Sequence, residues 1–516
     1  MRARLSRRVR RMPGEYPRDW GTMVAGNPVG YGRFEQVSVD EKRRLLGAAA
    51  VGLGALGAGE LLAAARGGSP LDGLGRLAAD YAPVPVVETM VARAGRHDKE
   101  MTRLGVALGG VAAAAGMALL PPRLRTPAAV AFGAGTAAAA LRSADRSVPG
   151  ALGGLTAAAV LRAGLRRRPT GFGGEFLWAA AGTGMLAAAE SLLRRDDLRH
   201  REQARRVGPM GAHAPVPEDG IGIEPGLTPL ITAAGKFYVA DVNSRPPRID
   251  PTQWRLSIGG KVAHHLRLSL ADLAEQAVEF DAVMVCVHNT VGSHRCGNAR
   301  WFGVPLTTLL EHAVPESGAT RLVTRAVDGY TISLPLEPLR TGEWPGYLVI
   351  GMNGEALPPE HGFPARVFVP GIYGQYTGAK WITELELADD THVDYWWKRG
   401  WPAETLWVRP ESRIDVATCG PSDSGKFTVA GVAWAPPHGV SGVELRIDET
   451  EWFPVELGSE LAPAAWRRWR TIVDLPPGTH TIQARAISRS GEVQDAGERP
   501  PFPIGPGGLH TVTVTA

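Results

Sequence analysis

Five apolar segments in the first two hundred residues restrict this chain more than any other feature of its sequence. A helix that crosses a membrane needs about 20 apolar residues, and the segments approach that length with few charged side chains. They cover residues 45–65, 104–120, 126–141, 148–165 and 176–193. A soluble alanine-rich helical domain, the alternative, would show polar faces at helical spacing, and these segments show few. The sequence therefore predicts an N-terminal α-helical transmembrane bundle of about five helices within residues 44–195.

Charged residues around these segments predict how the bundle is oriented. Residues 1–43 are polar and rich in arginine, which places the N-terminus in the cytoplasm. This charged segment is too long for the start of a cleavable signal peptide, so none is predicted. Five crossings would then put the second half of the chain outside. The basic loops at 123–125 and 162–168 agree with this orientation, and the arginines that follow residue 193 disagree. Glu60 and Glu190 lie near segment ends, where we expect their carboxylates to reach the interface rather than to mark a proton or quinone path.

The second half of the chain is divided by its composition and periodicity. Residues 208–229 are rich in Gly and Pro and read as a linker. Residues 230–408 alternate short strand and helix patterns, which predicts an α+β domain; among these, residues 301–312 are predicted as a helix entered through Gly303 and Pro305. Residues 409–516 contain short alternating runs between Gly/Pro turns, which predicts a small all-β sandwich. Trp466 and Trp469 in that region are predicted to be packing residues.

One stretch of the α+β region carries the strongest candidate site, and it centres on Cys286. Val283, Val285 and Val287 alternate as in a buried strand, and Cys286 sits where this run breaks into a polar loop. A thiol at a strand end, facing histidines and cations, is placed where a thiolate is stabilised. The alternative, a buried structural cysteine, stays open on spacing alone.

The other cysteines and a second loop complete the candidates. Cys296 and Cys419 make an odd, sparse set with Cys286, which fits neither a disulfide scaffold nor a zinc site. In residues 353–381, an arginine and a lysine flank Gly-rich turns that let backbone approach a ligand closely. Such a pattern suits a phosphate or another anion, and ordinary surface cations remain the alternative there.

Taken in order, these segments resemble the sulfite oxidase family of molybdopterin oxidoreductases, in its membrane-anchored bacterial form. The resemblance covers residues 236–516 and rests on KFYVAD, VMVCVHN, GNARWFGVPL, NGEALPPEHGFPARVFVPG and YTGAKW. The terminal region resembles the family's immunoglobulin-like dimerisation domain, including its W-x-x-W pair. Together with the five predicted spans, the resemblance implies a multi-domain protein of the bacterial cell membrane whose catalytic domain is extracytoplasmic.

The resemblance also implies a molybdenum–molybdopterin cofactor and assigns its contacts. Cys286 falls on the molybdenum-ligating, catalytic cysteine, and a soft thiolate suits that metal; Cys296 matches no position of the family pattern. The implied pterin contacts are Tyr238, His361, Arg366, Gly378 and Lys380. Where animal and plant sulfite oxidases carry a substrate-binding arginine, this chain has Val291, which puts sulfite in doubt as the substrate. Arg295 and Arg300 are the substrate-binding candidates that remain nearby.

The function implied is two-electron chemistry of the oxygen-atom-transfer type on a sulfite-like anion or on an S- or N-oxide. No haem is expected, so electrons would pass to a separate cytochrome or quinone-linked partner, and a homodimer would form through the C-terminal domain. Nucleic acid is not an expected partner. Arg166–Arg168 resemble a degenerate twin-arginine export signal, with plain topology arginines as the alternative. Two other functions stay open: a non-catalytic cell-surface protein, and cysteine-nucleophile catalysis with His288 or His294 as base.

Overall fold

The computed structural model describes residues 39–83, 86, 98–142, 148–167, 172–212, 215–243, 245–402, 406–419 and 425–516. Most of the basic N-terminus, and Arg168 of the arginine cluster, lie outside these residues. Leu45–Ala516 form one compact unit.

Six helices occupy the described part of the N-terminal region. They are α1 (Val39–Ala64), α2 (Pro70–Tyr81), α3 (Asp98–Leu119), α4 (Pro122–Arg142), α5 (Val148–Arg167) and α6 (Phe172–Arg205). Four stretches are long and apolar enough to cross a membrane: Lys42–Ala64, Lys99–Leu119, Val148–Arg166 and Gly174–Arg205. The third predicted segment does form a helix, α4, but its alanines and glycines lie between arginines, and it does not reach the hydropathy of the other four. The described residues therefore contain four candidate spans where the sequence predicted about five.

Small residues bring the helices of this region into close contact. A Cβ added to Gly57 of α1 would lie 2.5 Å from the carbonyl oxygen of Gly182 in α6, and one on Gly59 would lie 2.5 Å from that of Gly153 in α5. Such close backbone approach is the usual packing of helices in lipid, where burial of apolar surface supplies little attraction between them. The Ala/Gly content that made the segments weakly hydrophobic thus has a structural purpose.

Glu60 differs from its expected position, because its side chain turns into the protein rather than toward an interface. It is buried; the Ser69 hydroxyl and the Leu71 N–H donate to its carboxylate, the latter over 3.2 Å. Arg103 of α3 lies 3.7 Å from the same carboxylate. Glu190 of α6 forms a 2.9 Å ion pair with the same arginine. Buried charges in proteins are normally paired in this way.

Helix α2 was not predicted from the sequence, and it docks the bundle on the α+β domain. Ser69 caps it by accepting from the Asp72 N–H over 3.0 Å. Arg76 on its buried face forms a 3.1 Å ion pair with Asp328. The Tyr395 hydroxyl donates to Asp80 over 2.9 Å. The short length of α2 hid it among the longer apolar segments.

The α+β region contains one mixed and one antiparallel sheet, with short helices. Its strands are β1 (Leu256–Gly260), β2 (Leu266–Leu268), β3 (Val278–Val285), β4 (Cys296–Pro305), β5 (Arg321–Ala326), β6 (Thr331–Pro335), β7 (Tyr347–Met352), β8 (Glu355–Ala356), β9 (Arg366–Phe368) and β10 (Ile382–Ala388). Its helices are α7 (Leu270–Ala274), α8 (Leu306–Ala313) and α9 (Leu336–Thr341). One sheet has the order β2-β1-β10-β5-β6; the other has β3-β4-β7-β8, with β9 beside β7. This mixture agrees with the α+β prediction.

The predicted helix over residues 301–312 is wrong in its first five residues. Strand β4 continues to Pro305 and pairs with β3 on one side and β7 on the other; α8 begins only at Leu306. Trp301 and Val304 are buried in the sheet. Strand β4 is hydrogen-bonded on both edges, and Trp301 fits the pleated surface of a sheet. These interactions outweigh the local helical pattern, so the helix starts only after Pro305.

The C-terminal region is all-β, as predicted. Its strands are β11 (Glu411–Cys419), β12 (Lys426–Trp434), β13 (Val440–Ile447), β14 (Phe453–Pro454), β15 (Glu456–Leu457), β16 (Arg467–Asp474), β17 (Thr479–Ser488) and β18 (His510–Thr515). They form two four-stranded sheets, β11-β12-β16-β15 and β14-β13-β17-β18. Both sheets contribute to one core, which includes Val429, Trp469, Leu445 and Ile482. The immunoglobulin-like topology itself stays a prediction.

The two tryptophans predicted to pack do so in different cores. Trp469 belongs to the core between the C-terminal sheets. Trp466 belongs to the core of the α+β domain, where its indole N–H donates to the Leu230 carbonyl over 2.8 Å. The pair therefore joins the two domains.

Candidate functional site

Cys286 lies one residue beyond β3, where the β3–β4 hairpin opens into its loop. Its N–H donates to the Arg295 carbonyl over 2.9 Å, and its own carbonyl accepts from the Asn289 N–H over 2.9 Å. The side chain is buried. Both backbone groups are thus fixed by the loop that follows, which holds the thiol in one place at the end of a strand.

Cys296 begins β4 directly across the hairpin, and its environment is different. It pairs with Val285 in the strand register, and Arg413 donates to its sulfur over 3.5 Å. Burial raises the pKa of the Cys296 thiol to about 12, although the nearby Arg413 opposes the shift. At neutral pH this thiol is protonated, which agrees with its having no place in the family pattern.

His361 ends a 3-10 turn in the second loop and is buried. Its Nε2–H donates to the Ala234 carbonyl over 3.0 Å. Burial lowers the pKa of His361 to about 4, and the positive charges of Lys380 and Arg366 act in the same direction. The ring is therefore neutral at physiological pH.

Arg366 opens β9 five residues later, and its charge is poorly compensated. It is buried, and its Nη1 donates to the His361 carbonyl over 3.3 Å. Its Nε has no hydrogen-bond partner within the described part of the chain. Burial lowers the pKa of Arg366 to about 10. A buried guanidinium without a carboxylate is costly, so this position is suited to an anionic ligand.

Lys380 lies against the same turn. Its ammonium group donates to Asp241 over 2.8 Å and to the Glu360 carbonyl over 3.0 Å, and it sits 4.4 Å from the centre of the Trp381 ring. Burial lowers the pKa of Lys380 to about 8, although Asp241 acts against the shift. Gly378 has φ +130°, and a Cβ there would lie 2.6 Å from Cβ of Val367. Only glycine permits this close packing of the loop on β9.

Tyr238 connects the two loops. It stacks on Phe237 at 5.4 Å, and Phe237 in turn packs edge-on against His361 at 5.4 Å. Burial raises the pKa of Tyr238, with the Cys286 thiol acting in the same direction and Arg366 against it. Tyr238 therefore lies within electrostatic reach of both groups. The Gly374 N–H donates to the Val285 carbonyl over 2.8 Å, which ties the second loop to the strand that carries the cysteine.

Several buried polar atoms around these loops have no partner within the described residues. They include Nε of Arg366, Nδ2 of Asn289 and both amide atoms of Gln375. Buried polar groups in folded proteins are nearly always hydrogen-bonded. Unpaired donors beside buried cations fit a polar, anionic ligand that accepts hydrogen bonds.

The two substrate-binding candidates occupy unlike positions. Arg300 forms two hydrogen bonds with Asp281, of 3.0 and 3.1 Å. Asp281 lies five residues before Cys286, which is a distance of about 16 Å along an extended strand at roughly 3.3 Å per residue. Arg295 instead shares a backbone hydrogen bond with Cys286. The geometry favours Arg295 of the two, and both roles stay predictions. The His288 ring packs edge-on against Trp401 at 5.8 Å, and His294 is exposed.

Sequence reasoning missed the residues that support the site from neighbouring elements. Glu411 and Arg413 come from β11, and Asp241 follows Tyr238 by three residues. Burial raises the pKa of Glu411 to about 8, although the positive charge of Arg413 opposes the shift. A buried strand is normally recognised by alternating apolar residues. In β11 the alternating residues at its start are charged, so the hydrophobic pattern did not reveal that they are buried.

Comparisons with known proteins agree with these features. The family described as an oxidoreductase molybdopterin binding domain matches residues 243–396. The uncharacterized oxidoreductase YuiH of Bacillus subtilis (strain 168) is 30% identical over 165 residues, which cover 32% of this chain and 80% of that protein. Mitochondrial sulfite oxidase of Mus musculus is 28% identical over 298 residues, 48% of this chain and 54% of that one, so the chain spans about half the length of this relative.

Among solved structures, the sulfane dehydrogenase SoxCD from Paracoccus pantotrophus is similar with a TM-score of 0.49 and 21% identity, covering 60% of this chain and 88% of that one. The sequence matches cover the segment that contains Cys286, His361, Arg366 and Lys380. This chain belongs to the sulfite oxidase family of molybdopterin-dependent oxidoreductases and is a molybdenum-dependent enzyme.

Proposed function

We propose that this protein is a membrane-anchored oxidoreductase that performs two-electron, oxygen-atom-transfer-type chemistry on a small sulfite-like anion or on an S- or N-oxide. The observation that carries the proposal is a buried thiol, Cys286, close to buried cations whose charge is not fully balanced by carboxylates. Tyr238 lies within electrostatic reach of both the thiol and Arg366. Gly374 joins the loop of the cations to the strand that carries the thiol.

The residues of the two loops fit a molybdopterin cofactor. Cys286 would ligate the molybdenum, and Tyr238, His361, Arg366, Gly378 and Lys380 would surround the pterin and its phosphate. The unpaired Nε of Arg366 suits an anionic oxygen. When bound, the molybdenum centre supplies the exchange of an oxygen atom and two electrons with the substrate.

The protein's own groups have defined roles in this proposal. Arg366 and Lys380 bind the anionic part of the cofactor. Neutral His361 keeps a proton on Nε2, directed at the Ala234 carbonyl, and so fixes the start of the loop. Tyr238, whose pKa is raised by burial, keeps its hydroxyl proton and can donate it in a hydrogen bond. Arg295, beside Cys286, would bind the substrate anion.

The helix contacts support an extracytoplasmic catalytic domain. Gly47 lies beside Glu175 and Gly57 beside Gly182, so α1 and α6 run in the same direction. Gly59 lies beside Gly153 and Val51 beside Gly164, so α5 runs the opposite way. The start of α1, the end of α5 and the start of α6 therefore share one side. The basic residues Arg162 and Arg166 of α5 fall on that side, which is the cytoplasmic one by the positive-inside rule.

The remaining parts of the proposal concern partners. Electrons would leave or arrive through a separate cytochrome or quinone-linked protein, and two copies would associate through the C-terminal sheets. A short exposed edge strand, such as β18, is a typical element for such an association.

Metal analysis of the whole chain tests the function. The protein is purified from membranes of a host that makes molybdopterin, beside Cys286→Ala and the control Cys419→Ala, which removes an exposed thiol. We expect near-stoichiometric molybdenum in the parent and the control, and loss of molybdenum or an altered spectrum in Cys286→Ala. A well-folded parent without molybdenum or pterin would overturn the proposal in favour of a non-catalytic cell-surface protein.

A further inference from the structure

A carboxylate lies between two ammonium groups at the boundary of the membrane helices and the cofactor loops. Asp241 accepts from Lys380 of the second loop over 2.8 Å and from Lys99, in the first turn of α3, over 2.7 Å. The Asp241 side chain is 5% exposed and that of Lys380 is 10% exposed. Lys99 therefore reaches from a candidate membrane span to a residue that touches the proposed pterin site.

The position of Asp241 poses an electrostatic problem for an anion-binding loop. A carboxylate beside Lys380 cancels the charge that would attract a phosphate, and like charges at short range repel strongly when water is excluded. Burial alone would raise the pKa of Asp241, but Lys380 and Lys99 outweigh it and lower the pKa to about 2. Asp241 is thus ionised at all physiological pH values, and its charge must be balanced by a neighbour.

Lys99 supplies that balance. With Lys99 present, the triad of two lysines and one aspartate keeps a net positive charge, and Arg366, which donates to the His361 carbonyl, adds another. Without Lys99, Asp241 and Lys380 neutralise one another, and only Arg366 is left to attract an anion. The charge that completes the pocket therefore comes from the membrane bundle.

A second helix of the bundle holds the same loop. The His200 ring of α6 packs edge-on against Phe363 at 6.1 Å, and Arg201 lies 3.6 Å from Glu360. Glu360 and Phe363 flank His361 in sequence, so α6 contacts the loop on both sides of that residue, while α3 reaches it through Asp241. The catalytic domain and the bundle thus share this part of the site.

We propose that Lys99 is a positioning residue of the cofactor site: by neutralising Asp241 it leaves Lys380 free to bind the anionic group of the cofactor, so that the membrane helices complete the pocket. This inference rests on the proposed function, since it takes that anion to be the pterin phosphate. A simple alternative is that the Lys99–Asp241 pair only fastens α3 to the domain.

A double-mutant cycle separates the two accounts. The full chain is purified as the parent, Lys99→Met, Asp241→Asn and the double variant, and molybdenum and pterin are measured after dialysis. We expect about tenfold less retained cofactor in Lys99→Met, equivalent to about 1.4 kcal/mol of binding free energy. Asp241→Asn should retain the cofactor, and adding it to Lys99→Met should restore the parent level, because the uncompensated carboxylate is then gone.

Two controls keep the result interpretable. Lys99→Arg preserves the charge and should retain the cofactor. Lys261→Met breaks the exposed pair with Asp389 and should have no effect. Cofactor loss in the double variant equal to that in Lys99→Met, or parent-like retention in Lys99→Met, would overturn the inference while leaving the proposed function intact. Absence of pterin from the parent would overturn the proposed function itself.

Discussion

Two buried arginines, Arg366 and Arg413, flank the Cys286 region and differ in what surrounds them. Arg413 forms a 2.7 Å ion pair with Asp415 and donates to the Ser293 carbonyl and the Thr228 hydroxyl over 2.9 and 2.7 Å. Among the residues that the structure describes, Arg366 has one 3.3 Å bond to a carbonyl and an Nε without a partner. Burial opposes the charge of both, yet Cys296 and Asp415 raise the pKa of Arg413, whereas the pKa of Arg366 falls to about 10.

The difference indicates which of the two arginines has its charge balanced by residues of this chain. The Arg413 region satisfies its charge within the chain and joins the C-terminal sheets to the cysteine loop. The Arg366 region is left with excess positive charge, as expected of a place where a ligand supplies the anion. The three predictions that follow test this contrast, beginning with the largest effect.

Arg413→Met should cause the largest loss of stability. It leaves Asp415, whose side chain is 2% exposed, as an unpaired buried charge, which typically costs about 3–5 kcal/mol. Urea unfolding followed by tryptophan fluorescence would measure the change. Arg485→Met, which removes a partly exposed pair with Glu444, is the matched control and should cost about 1 kcal/mol or less. Equal losses in the two variants would contradict the assignment of Arg413 as the balanced charge.

Glu411→Gln should change how stability depends on pH. Between the ordinary carboxyl pKa and about 8, the folded protein holds a proton that the unfolded chain releases, so the free energy of unfolding falls as pH rises through this window. The total change is about 1.4 kcal/mol per unit of pKa difference, or a few kcal/mol. The variant should lose this slope and be more stable than the parent at pH 8. Unfolding curves at pH 5, 6.5 and 8 would show it.

The exposed carboxyl of Glu456 offers a comparison for that measurement. Glu456→Gln should keep the slope of the parent protein. A parent whose unfolding free energy is flat over the window would show that Glu411 is ionised in the folded state.

Arg366→Met should have the smallest effect on stability and a selective effect on the cofactor. In protein from a host that cannot make molybdopterin, we expect a change of about 1 kcal/mol or less, or a gain, because an uncompensated buried charge is removed. In a host that makes molybdopterin, retained pterin should fall about tenfold. Melting temperatures of both preparations and pterin content provide the test. A loss in the cofactor-free protein as large as that of Arg413→Met would make Arg366 a structural residue.

The sequence predicted the strand that carries Cys286 better than the residues that support this strand from other elements. The strand that ends before Cys286 follows from alternating valines and forms as predicted. Anion binding by the loop that holds cations among glycines stays a prediction. The family resemblance is confirmed by the matches. Residues 301–305 were mistaken for helix because local pattern is a weak guide where a strand is paired on both edges.

The residues that escaped prediction act over long sequence distances. Lys99 and Asp241 are 142 positions apart, and Arg413 and Cys296 are 117 apart. No periodicity encodes such contacts, and a buried charge looks like a surface charge until its partner is in view. Helix α2 is short, and its Arg76 pairs with Asp328 of another domain rather than facing water, so two features together hid it from prediction.

The exposure of Cys419 at the end of β11 has a practical consequence for studying the assembly. Of the three cysteines, Cys286 and Cys296 are buried and Cys419 is exposed, so a thiol-specific spin label would attach at one known point on the C-terminal sheets. In a homodimer joined through those sheets, two such labels would give a single, narrow distance distribution by pulsed electron resonance. The native sequence thus allows the quaternary structure to be measured without engineering a new attachment point.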